Sequence, residues 1–132
     1  MQIRQGEPYQ DLIADIISEL EASVKKAVDA GLPGDKIIVD PGIGFGKTPG
    51  ENRLLLKCLK DFCSLGKPIL IGASRKTFIG QTLGLEVADR LEGSLAAVAI
   101  AAMNGANIIR VHDVKASKRV ATMIDAVMRE NG

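Results

Sequence analysis

The amino-acid sequence predicts an α/β fold in which one helix precedes three parallel strand–helix units. Three short segments rich in apolar residues begin at residues 37, 69 and 107, and the first of them is a run of β-branched residues without polar alternation. Such runs are typical of strands that are covered on both faces in a parallel sheet. A segment with helical character precedes each run and ends at a glycine, namely Gly31, Gly66 or Gly105. The runs are separated by about the length of a βα unit, which is roughly 30 residues or more.

The first predicted element is a helix over Tyr9–Ala30. Its apolar residues recur at the spacing that places them on one helical face. Gly31 is a natural C-terminal stop, and Pro33 prevents continuation of the helix. The first strand, Ile37–Asp40, follows.

A glycine-rich loop, DPGIGFGKT at residues 40–48, comes directly after this strand. The Walker A phosphate loop requires a glycine where this sequence has Pro41. The dinucleotide-binding fingerprint requires a glycine where it has Lys47. The loop therefore does not indicate a nucleotide-binding protein.

The residues after the loop predict a second helix over about Pro49–Leu65. Thr48 and Glu51 have the spacing of a capping box, and a proline at the first helical position supports it. Gly66 ends the helix, and the second strand is Ile69–Gly72.

The rest of the second unit contains Phe78 and Ile79 in a short segment, followed by a predicted loop at LGLEV. Asp89 and Glu92 have the spacing of another capping box. We therefore predict an alanine-rich helix that starts there and reaches about Asn104.

The third strand is predicted at Asn107–Val111, and a last helix at about Lys115–Arg129. The inner stripe of this helix consists of Val120, Ile124 and Val127. No linker interrupts the units, so we treat residues 1–132 as a single partial domain. Three such strands leave open edges and a bare side, which suggests that the chain is part of something larger.

The composition argues against nucleic-acid and membrane partners. The net charge is +1 and aromatic residues make up 3%, which leaves no strong positive field and few rings for base stacking. The longest apolar run, Leu95–Met103, is too short to span a bilayer. The N-terminus lacks the apolar core of a signal peptide. Cys58 and Cys63 are expected to be buried free thiols in a reducing compartment, the cytoplasm.

The polar residues of the predicted strands collect at the C-terminal ends of those strands. Side chains alternate between faces along a strand. On one face, this alternation places Asp40 in the first unit, Gly72, Ser74 and Lys76 in or just after the second strand, and Arg110 and His112 in the third. We expect these residues to converge at one mouth, where active sites form in (β/α) barrels and open α/β sheets.

Each of these residues also has a structural explanation. Asp40 precedes a proline and can form a turn, Lys76 can be surface charge beside Arg75, and His112 can be structural. Arg110 is harder to explain in this way, because a guanidinium buried in an apolar strand requires an anionic partner. Taken together, the cations and the histidine beside an acid indicate a site for an anionic substrate with a second polar group.

Three segments, DPGIGFGKT, GASRKTFIG and RVHDV, resemble the motifs at the ends of the sixth, seventh and eighth strands of dihydropteroate synthase. They occur in the order of that family, with RLEGSLAA between the last two, and the likeness extends from about Gly31 to the C-terminus. The start, MQIRQGEP, weakly resembles the loop after the family's fifth strand but lacks the family's usual histidine. The resemblance implies the C-terminal part of a (β/α)8 TIM barrel.

The resemblance also implies an activity and its substrates. Dihydropteroate synthases condense p-aminobenzoate with 6-hydroxymethyl-7,8-dihydropterin pyrophosphate and release pyrophosphate in folate synthesis. By position, Asp40 would bind the amino-pyrimidine edge of the pterin through two parallel hydrogen bonds. Phe45 would pack near the aminobenzoate ring and Ser74 near its carboxylate, and Gly72 would be a further substrate-binding position.

The same resemblance implies three catalytic residues. Lys76 would lie against the pterin and the aminobenzoate, near the bond that forms. Arg110 would stack on the pterin ring and, together with His112 and a magnesium ion, would hold the departing pyrophosphate.

The family's motifs from the first half of the barrel are absent from this sequence. The ligand expected to hold Mg²⁺ belongs to that missing half, so we expect no metal ligand in this chain and no activity from the chain alone. The chain can be part of a full synthase, can pair with a separate N-terminal half or a second copy as a homo-oligomer, or can be a non-enzymatic half-barrel assembly module. A pterin-binding corrinoid methyltransferase is a rival, although the SRK and RVHDV segments favour the synthase.

Overall fold

The computed structural model describes residues 11–131. In that part of the chain, α-helices α1 to α5 span Leu12–Asp29, Pro49–Lys57, Thr77–Leu83, Leu91–Met103 and Val114–Arg129, and strands β1 and β2 span Leu70–Ile71 and Ile108–Ile109. Three 3₁₀ turns occupy Gly34–Lys36, Leu59–Leu65 and Val87–Asp89. The predicted helix start at Tyr9 and the N-terminal segment with weak family likeness lie outside the described residues.

The sheet is parallel, as predicted, but it is smaller than predicted. Strand β1 pairs with β2 so that Leu70 lies opposite Ile108. In place of a strand at Ile37–Asp40, the structure has a single parallel bridge between Val39 and Ile69. The reason is that ladder hydrogen bonds form only at Val39, whose N–H donates to the Pro68 carbonyl (2.9 Å) and whose carbonyl accepts from Leu70 (2.8 Å). The described chain thus has two strands and a bridge where three strands were predicted.

Helix α1 confirms the predicted helical face and its stop. Asp11 is the N-cap, and its side chain accepts from the Ala14 N–H at 3.2 Å. Leu12, Ile16 and Leu20 are buried on one side of the helix, at the spacing that the sequence indicates. The chain leaves the helix at Gly31, whose φ of +103° lies in the region that favours glycine.

The capping box that opens α2 is formed as predicted. The Glu51 N–H donates to Thr48 Oγ1 at 3.1 Å, and the Thr48 N–H donates to Glu51 Oε1 at 2.8 Å. The predicted single helix over Pro49–Leu65 was wrong in its second half, because the chain tightens after Lys57 into the 3₁₀ segment Leu59–Leu65. Gly66 ends that segment with a φ of +68°.

The second predicted capping box, Asp89 with Glu92, was wrong. Arg90 occupies the N-cap of α4 and no side chain caps it, while Asp89 belongs to the preceding 3₁₀ turn. With the N-cap at Arg90, Glu92 lies one position too early to reach back in a capping box. Helix α3 was not predicted, because the adjacent pair Phe78 and Ile79 has no helical periodicity.

Helix α5 matches the predicted last helix and packs against α4. Val120 and Ile124 are half-buried as expected, but Val127 is exposed near the end of the helix. The prediction of buried thiols was also wrong: Cys63 is exposed and Cys58 is half-buried, and both are free. Cys63 lies in the 3₁₀ segment, whose shorter repeat turns residues to other directions than an α-helix would, and Cys58 is the residue just before that segment.

The core lies on one side of the sheet, between the strands and helices α1, α2 and α4. Leu55, Leu59 and Phe62 are fully buried there. Val39 and Ile71 point to this side and are 3% and 1% exposed, whereas Ile38 and Ile108 on the other side are 52% and 39% exposed. One face of the sheet is therefore covered and the other is bare, as the open-sheet argument predicted. Among the described helices, none is both long and apolar enough to cross a bilayer.

Candidate active site

The glycine-rich loop takes its shape from its three alternate glycines. Gly42, Gly44 and Gly46 have φ values of +79°, +84° and +63°, all in the left-handed region. A side chain at any of these positions would strain the backbone, which explains the alternation. Phe45 is exposed at the tip of this loop, so its ring is presented outward.

Polar side chains on both sides of the loop fix its backbone. Asp40 Oδ1 accepts from the Gly42 N–H at 2.8 Å. The buried Asn52, in α2, accepts from the Gly44 N–H at 2.7 Å. The Lys47 ammonium donates to the carbonyls of Gly42 (2.9 Å) and Phe45 (3.0 Å). The loop is therefore held in one conformation rather than left free over the bare face.

Lys76 crosses from the loop after β1 to the glycine-rich loop. Its Nζ donates to the Ile43 carbonyl at 2.6 Å and lies 4.6 Å from the centroid of the Phe45 ring. This is cation–π geometry. A Cβ at Gly44 would stand 2.6 Å from Lys76 Cδ, so the lysine chain runs directly across that glycine. The loops after two neighbouring strand positions are thus joined by one side chain.

Arg110 follows β2 and lies against Gly72, which follows β1. A Cβ at Gly72 would be 3.3 Å from both Nε and Nη2 of Arg110, so the absence of a side chain gives the guanidinium its place. Arg110 is exposed, which corrects the expectation that it is buried and needs a protein anion. Within residues 11–131 it has no carboxylate partner in an ion pair. Its cationic face is therefore available to a ligand.

His112 is joined to Ser74 rather than to the other candidate residues. Its backbone N–H donates to Ser74 Oγ at 3.2 Å, and its Nδ1 lies 3.0 Å from the same oxygen. Ser74 is buried and His112 is exposed. Because Nδ1 is engaged with the serine, Nε2 is the ring nitrogen that remains for a ligand.

The charges of the site act on one another. Burial lowers the pKa of Lys76, the negative charge of Asp40 opposes this effect, and the positive charges of Arg110 and Lys47 lower the pKa further. Burial also lowers the pKa of Lys47, against the opposing charges of Glu19, Glu51 and Asp40. The structure therefore brings Asp40, Lys76 and Arg110 into one electrostatic neighbourhood, as the face alternation predicted. The roles assigned to them by resemblance stay predictions.

Four polar residues of this region were not identified from the sequence. They are Asn52, which holds the glycine-rich loop, and Arg75, Ser94 and Asp113, which form a cluster beside the site. Asn52 could have been identified, because a polar residue at a core-facing position of a leucine-rich helix indicates a specific hydrogen-bonding role. Arg75 belongs to the SRK segment of the family resemblance, but nothing local to its sequence indicates its partners.

Comparisons with known proteins agree with the family resemblance of the three loop motifs. Residues 1–112 match the family described as pterin binding enzyme. The dihydropteroate synthase of Bacillus subtilis is 45% identical over 132 residues, which is all of this chain and 46% of that protein. An inactive dihydropteroate synthase 2 of Mycobacterium tuberculosis is 38% identical over 125 residues, which is 95% of this chain and 39% of that protein.

The crystal structure of the Yersinia pestis dihydropteroate synthase superposes with a TM-score of 0.94 at 37% identity, over 98% of this chain and 53% of that chain. The chain thus spans about half the length of the relatives it matches. A match over most of the chain, together with the convergence of the three motif loops, assigns the chain to the family of pterin-binding enzymes.

Proposed function

We propose that this chain forms the C-terminal half of a dihydropteroate synthase (β/α)8 barrel, to which it contributes three strand–helix units. That enzyme would condense p-aminobenzoate with 6-hydroxymethyl-7,8-dihydropterin pyrophosphate and release pyrophosphate in folate biosynthesis. One observation carries the proposal: in a chain that superposes closely on a known synthase, Lys76 reaches the loop that follows Asp40, and Arg110 lies against Gly72 at the same rim of the sheet.

Asp40 is suited to the pterin. A carboxylate accepts two parallel N–H bonds, which matches the amino-pyrimidine edge. The bond from the Gly42 N–H to Oδ1 orients the group, and a carboxylate retains further acceptor sites for a ligand. Its half-buried position limits competition from water.

Lys76 and Phe45 are suited to the aminobenzoate. The ammonium above the ring places a cationic group directly beside an aromatic one. An aromatic amine that carries a carboxylate combines these two properties. Ser74 is less suited to bind that carboxylate than we expected, because its hydroxyl is buried and engaged with His112. We assign it instead to orienting the histidine.

Arg110 and His112 are suited to the pyrophosphate. In the proposed reaction the amine nitrogen bonds to the pterin methylene carbon while the bond from that carbon to the pyrophosphate oxygen breaks. The amine then loses a proton to water. An exposed guanidinium and an imidazole at the same rim stabilise the negative charge that develops on the leaving group.

Magnesium is expected to accompany the pyrophosphate and to neutralise part of its charge. The residues that the structure describes do not form a magnesium site from protein ligands alone. Across residues 11–131 no three or more His, Cys, Asp or Glu side chains gather in a group that could hold a metal ion. We propose that the protein ligand for magnesium lies in the other half of the barrel.

The partner that this proposal requires is an N-terminal half-barrel. Exposed isoleucines on the bare face of the sheet, Ile38 and Ile108, support this requirement. A second copy of the chain is the alternative partner, and a homo-oligomer of the completed barrel is a further expectation. We also propose a cytoplasmic location, where the two free cysteines would stay reduced.

The test is to combine this chain with the N-terminal half of the Bacillus subtilis synthase and to measure dihydropteroate and pyrophosphate. We expect both products with both substrates and magnesium, and a large loss of turnover with Arg110→Ala. A stable complex that makes no product would contradict the proposal. Turnover must be measured because one relative is named inactive.

The rival functions give different results in simpler measurements. A corrinoid methyltransferase would bind methyltetrahydrofolate in preference to the pterin pyrophosphate, as seen by calorimetry. An assembly module would sediment as a stable, folded species with no affinity for a pterin.

A further inference from the structure

Arg75 lies between two predicted site residues, Ser74 and Lys76, but it has a different environment from either. Its φ is +56°, and it is the one non-glycine residue with positive φ in the described part of the chain. For a residue with a side chain this conformation costs about 1 to 2 kcal/mol. Such a backbone conformation persists only where the surrounding structure holds it, and these conformations cluster at functional sites.

Side chains from the next segments of the chain hold the Arg75 backbone. Its N–H donates to Oγ of the buried Ser94 at 2.9 Å. Its carbonyl accepts from Arg90 Nη1 at 3.1 Å. Both partners stand at the start of α4, so this helix fixes the peptide groups on both sides of Arg75.

The Arg75 side chain forms a two-pronged ion pair with Asp113. Nη2 donates to Oδ1 at 2.7 Å and Nε donates to Oδ2 at 3.2 Å. These side chains are 43% and 26% exposed, whereas the Lys25–Asp29 pair on α1 is 78% and 63% exposed. Parallel bonds of this kind are directional, so they define an orientation as well as an attraction. Hydrogen bonding from Arg75 also lowers the pKa of Asp113.

The ion pair joins the two loops that carry the predicted catalytic residues. Asp113 follows His112 directly, and Arg75 precedes Lys76 directly. The Ser74–His112 contact is a second tie between the same loops. With the turn at Arg75 held, Ser74 is directed toward His112 and Lys76 toward the carbonyl of Ile43.

We propose that Arg75 and Asp113 are a positioning pair, which holds Lys76 over Phe45 and His112 against Ser74 without touching either substrate. The inference rests on the proposed function for its effect on catalysis, but its structural part can be tested without any activity. A bidentate ion pair between two loops limits how far the side chains on those loops can move relative to each other. This matters because a displacement of about 1 Å at the reacting groups can cost on the order of 100-fold in rate.

The structural test is NMR of the chain with Asp113→Asn, a substitution of nearly equal size that removes the charge. The Phe45 ring should shift the Lys76 Cε protons upfield in the unaltered chain. We expect this shift to fall by half or more in Asp113→Asn, and the His112 ring signals to move. Asp29→Asn, which breaks the Lys25–Asp29 ion pair on α1, is the matched control and should change neither signal.

Arg75→Lys is the second variant, since it keeps the charge but loses the fork, and it serves if Asp113→Asn does not fold. It should move the Lys76 signal in the same direction by a smaller amount. Unchanged Lys76 and His112 signals in a folded variant would overturn the proposal, whatever the activity.

In the barrel completed with the Bacillus subtilis half, we expect Asp113→Asn to lower kcat on the order of 10- to 100-fold with little change in KM for the pterin. An equal loss through KM alone would also overturn the positioning role. A completed barrel with no activity before mutation would count against the proposed function and leave the NMR result to decide the pair.

Discussion

The two faces of the small parallel sheet differ in how far the chain itself covers them. On one face, Val39 and Ile71 are enclosed by α1, α2 and α4 and have almost no solvent exposure. On the other face, Ile38 and Ile108 are substantially exposed, although their side chains are equally apolar. The two faces carry the same type of apolar side chain. They differ because the described chain supplies helices that cover only one of them.

The two faces of the sheet therefore contribute differently to the protein. The covered face supplies stability through buried apolar area. The bare face supplies a rim, where Asp40, Lys76 and Arg110 gather. The apolar surface beneath this rim is open, but hydrogen bonds within the chain hold the rim in place. The geometry of the site therefore depends on these bonds as well as on burial of the apolar surface.

The largest effect is expected when an isoleucine on each face of the sheet is replaced by alanine. Ile71→Ala should destabilise the chain by about 2 to 5 kcal/mol, because it leaves a cavity in a closed core. Ile108→Ala should cost less than about 1 kcal/mol, because its side chain is already partly in water. Urea unfolding followed by circular dichroism measures both.

Similar losses for the two variants would show that the faces are equivalent in solution and that the bare face is covered there. Addition of the N-terminal half should raise the cost of Ile108→Ala and leave that of Ile71→Ala unchanged.

A smaller effect is expected at the rim, from Gly44→Ala. The left-handed φ of this residue makes a side chain cost about 1 to 2 kcal/mol, and its Cβ would also meet Lys76. Gly31→Ala is the matched control, since Gly31 has positive φ but no atom within 4 Å of a new Cβ. The two variants should lose similar stability in urea unfolding.

Only Gly44→Ala should also move the NMR signal of Lys76. If Gly31→Ala moves it as well, the displacement comes from general loosening and not from contact across the loop.

The smallest expected effect is a dependence of stability on pH. Burial lowers the pKa of Lys76 in the folded chain, so the folded state releases this proton at lower pH than the unfolded state does. The charged lysine therefore weakens folding at neutral pH, and the penalty is relieved as pH rises through the folded-state pKa toward the ordinary value of about 10.4.

In that alkaline window, the unfolding free energy of the unaltered chain should rise relative to that of Lys76→Met. Urea titrations of both proteins at a series of pH values measure the difference. A difference that falls or stays constant with rising pH would show that Lys76 is better solvated than its position indicates.

Much of the fold was predictable because many of its signals are local. The Thr48–Glu51 capping box and the stops at Gly31 and Gly66 each act over a few residues, and the structure has them where the sequence predicted. The Asp89–Glu92 capping box had the same local pattern and failed. The position of Arg90 at the N-cap is decided in part by contacts with Leu85 and Arg75, which a local pattern does not include.

The sequence predicted which residues belong to the candidate site better than it predicted the contacts that they make. Alternation along strands correctly placed Asp40 and Arg110 toward the same side. It could not show that Arg110 is exposed, that Ser74 is engaged with His112, or that Arg75 pairs with a residue 38 positions later.

Local sequence signals account for the stops at Gly31 and Gly66, for the Thr48–Glu51 cap and for which polar residues follow the strands. Backbone dihedrals, caps and side-chain alternation depend on near neighbours in the chain. Long-range packing, in contrast, sets which face of the sheet is covered, which thiols reach solvent and which charged groups lie near one another. Burial and distance between charges arise when segments far apart in the sequence pack together.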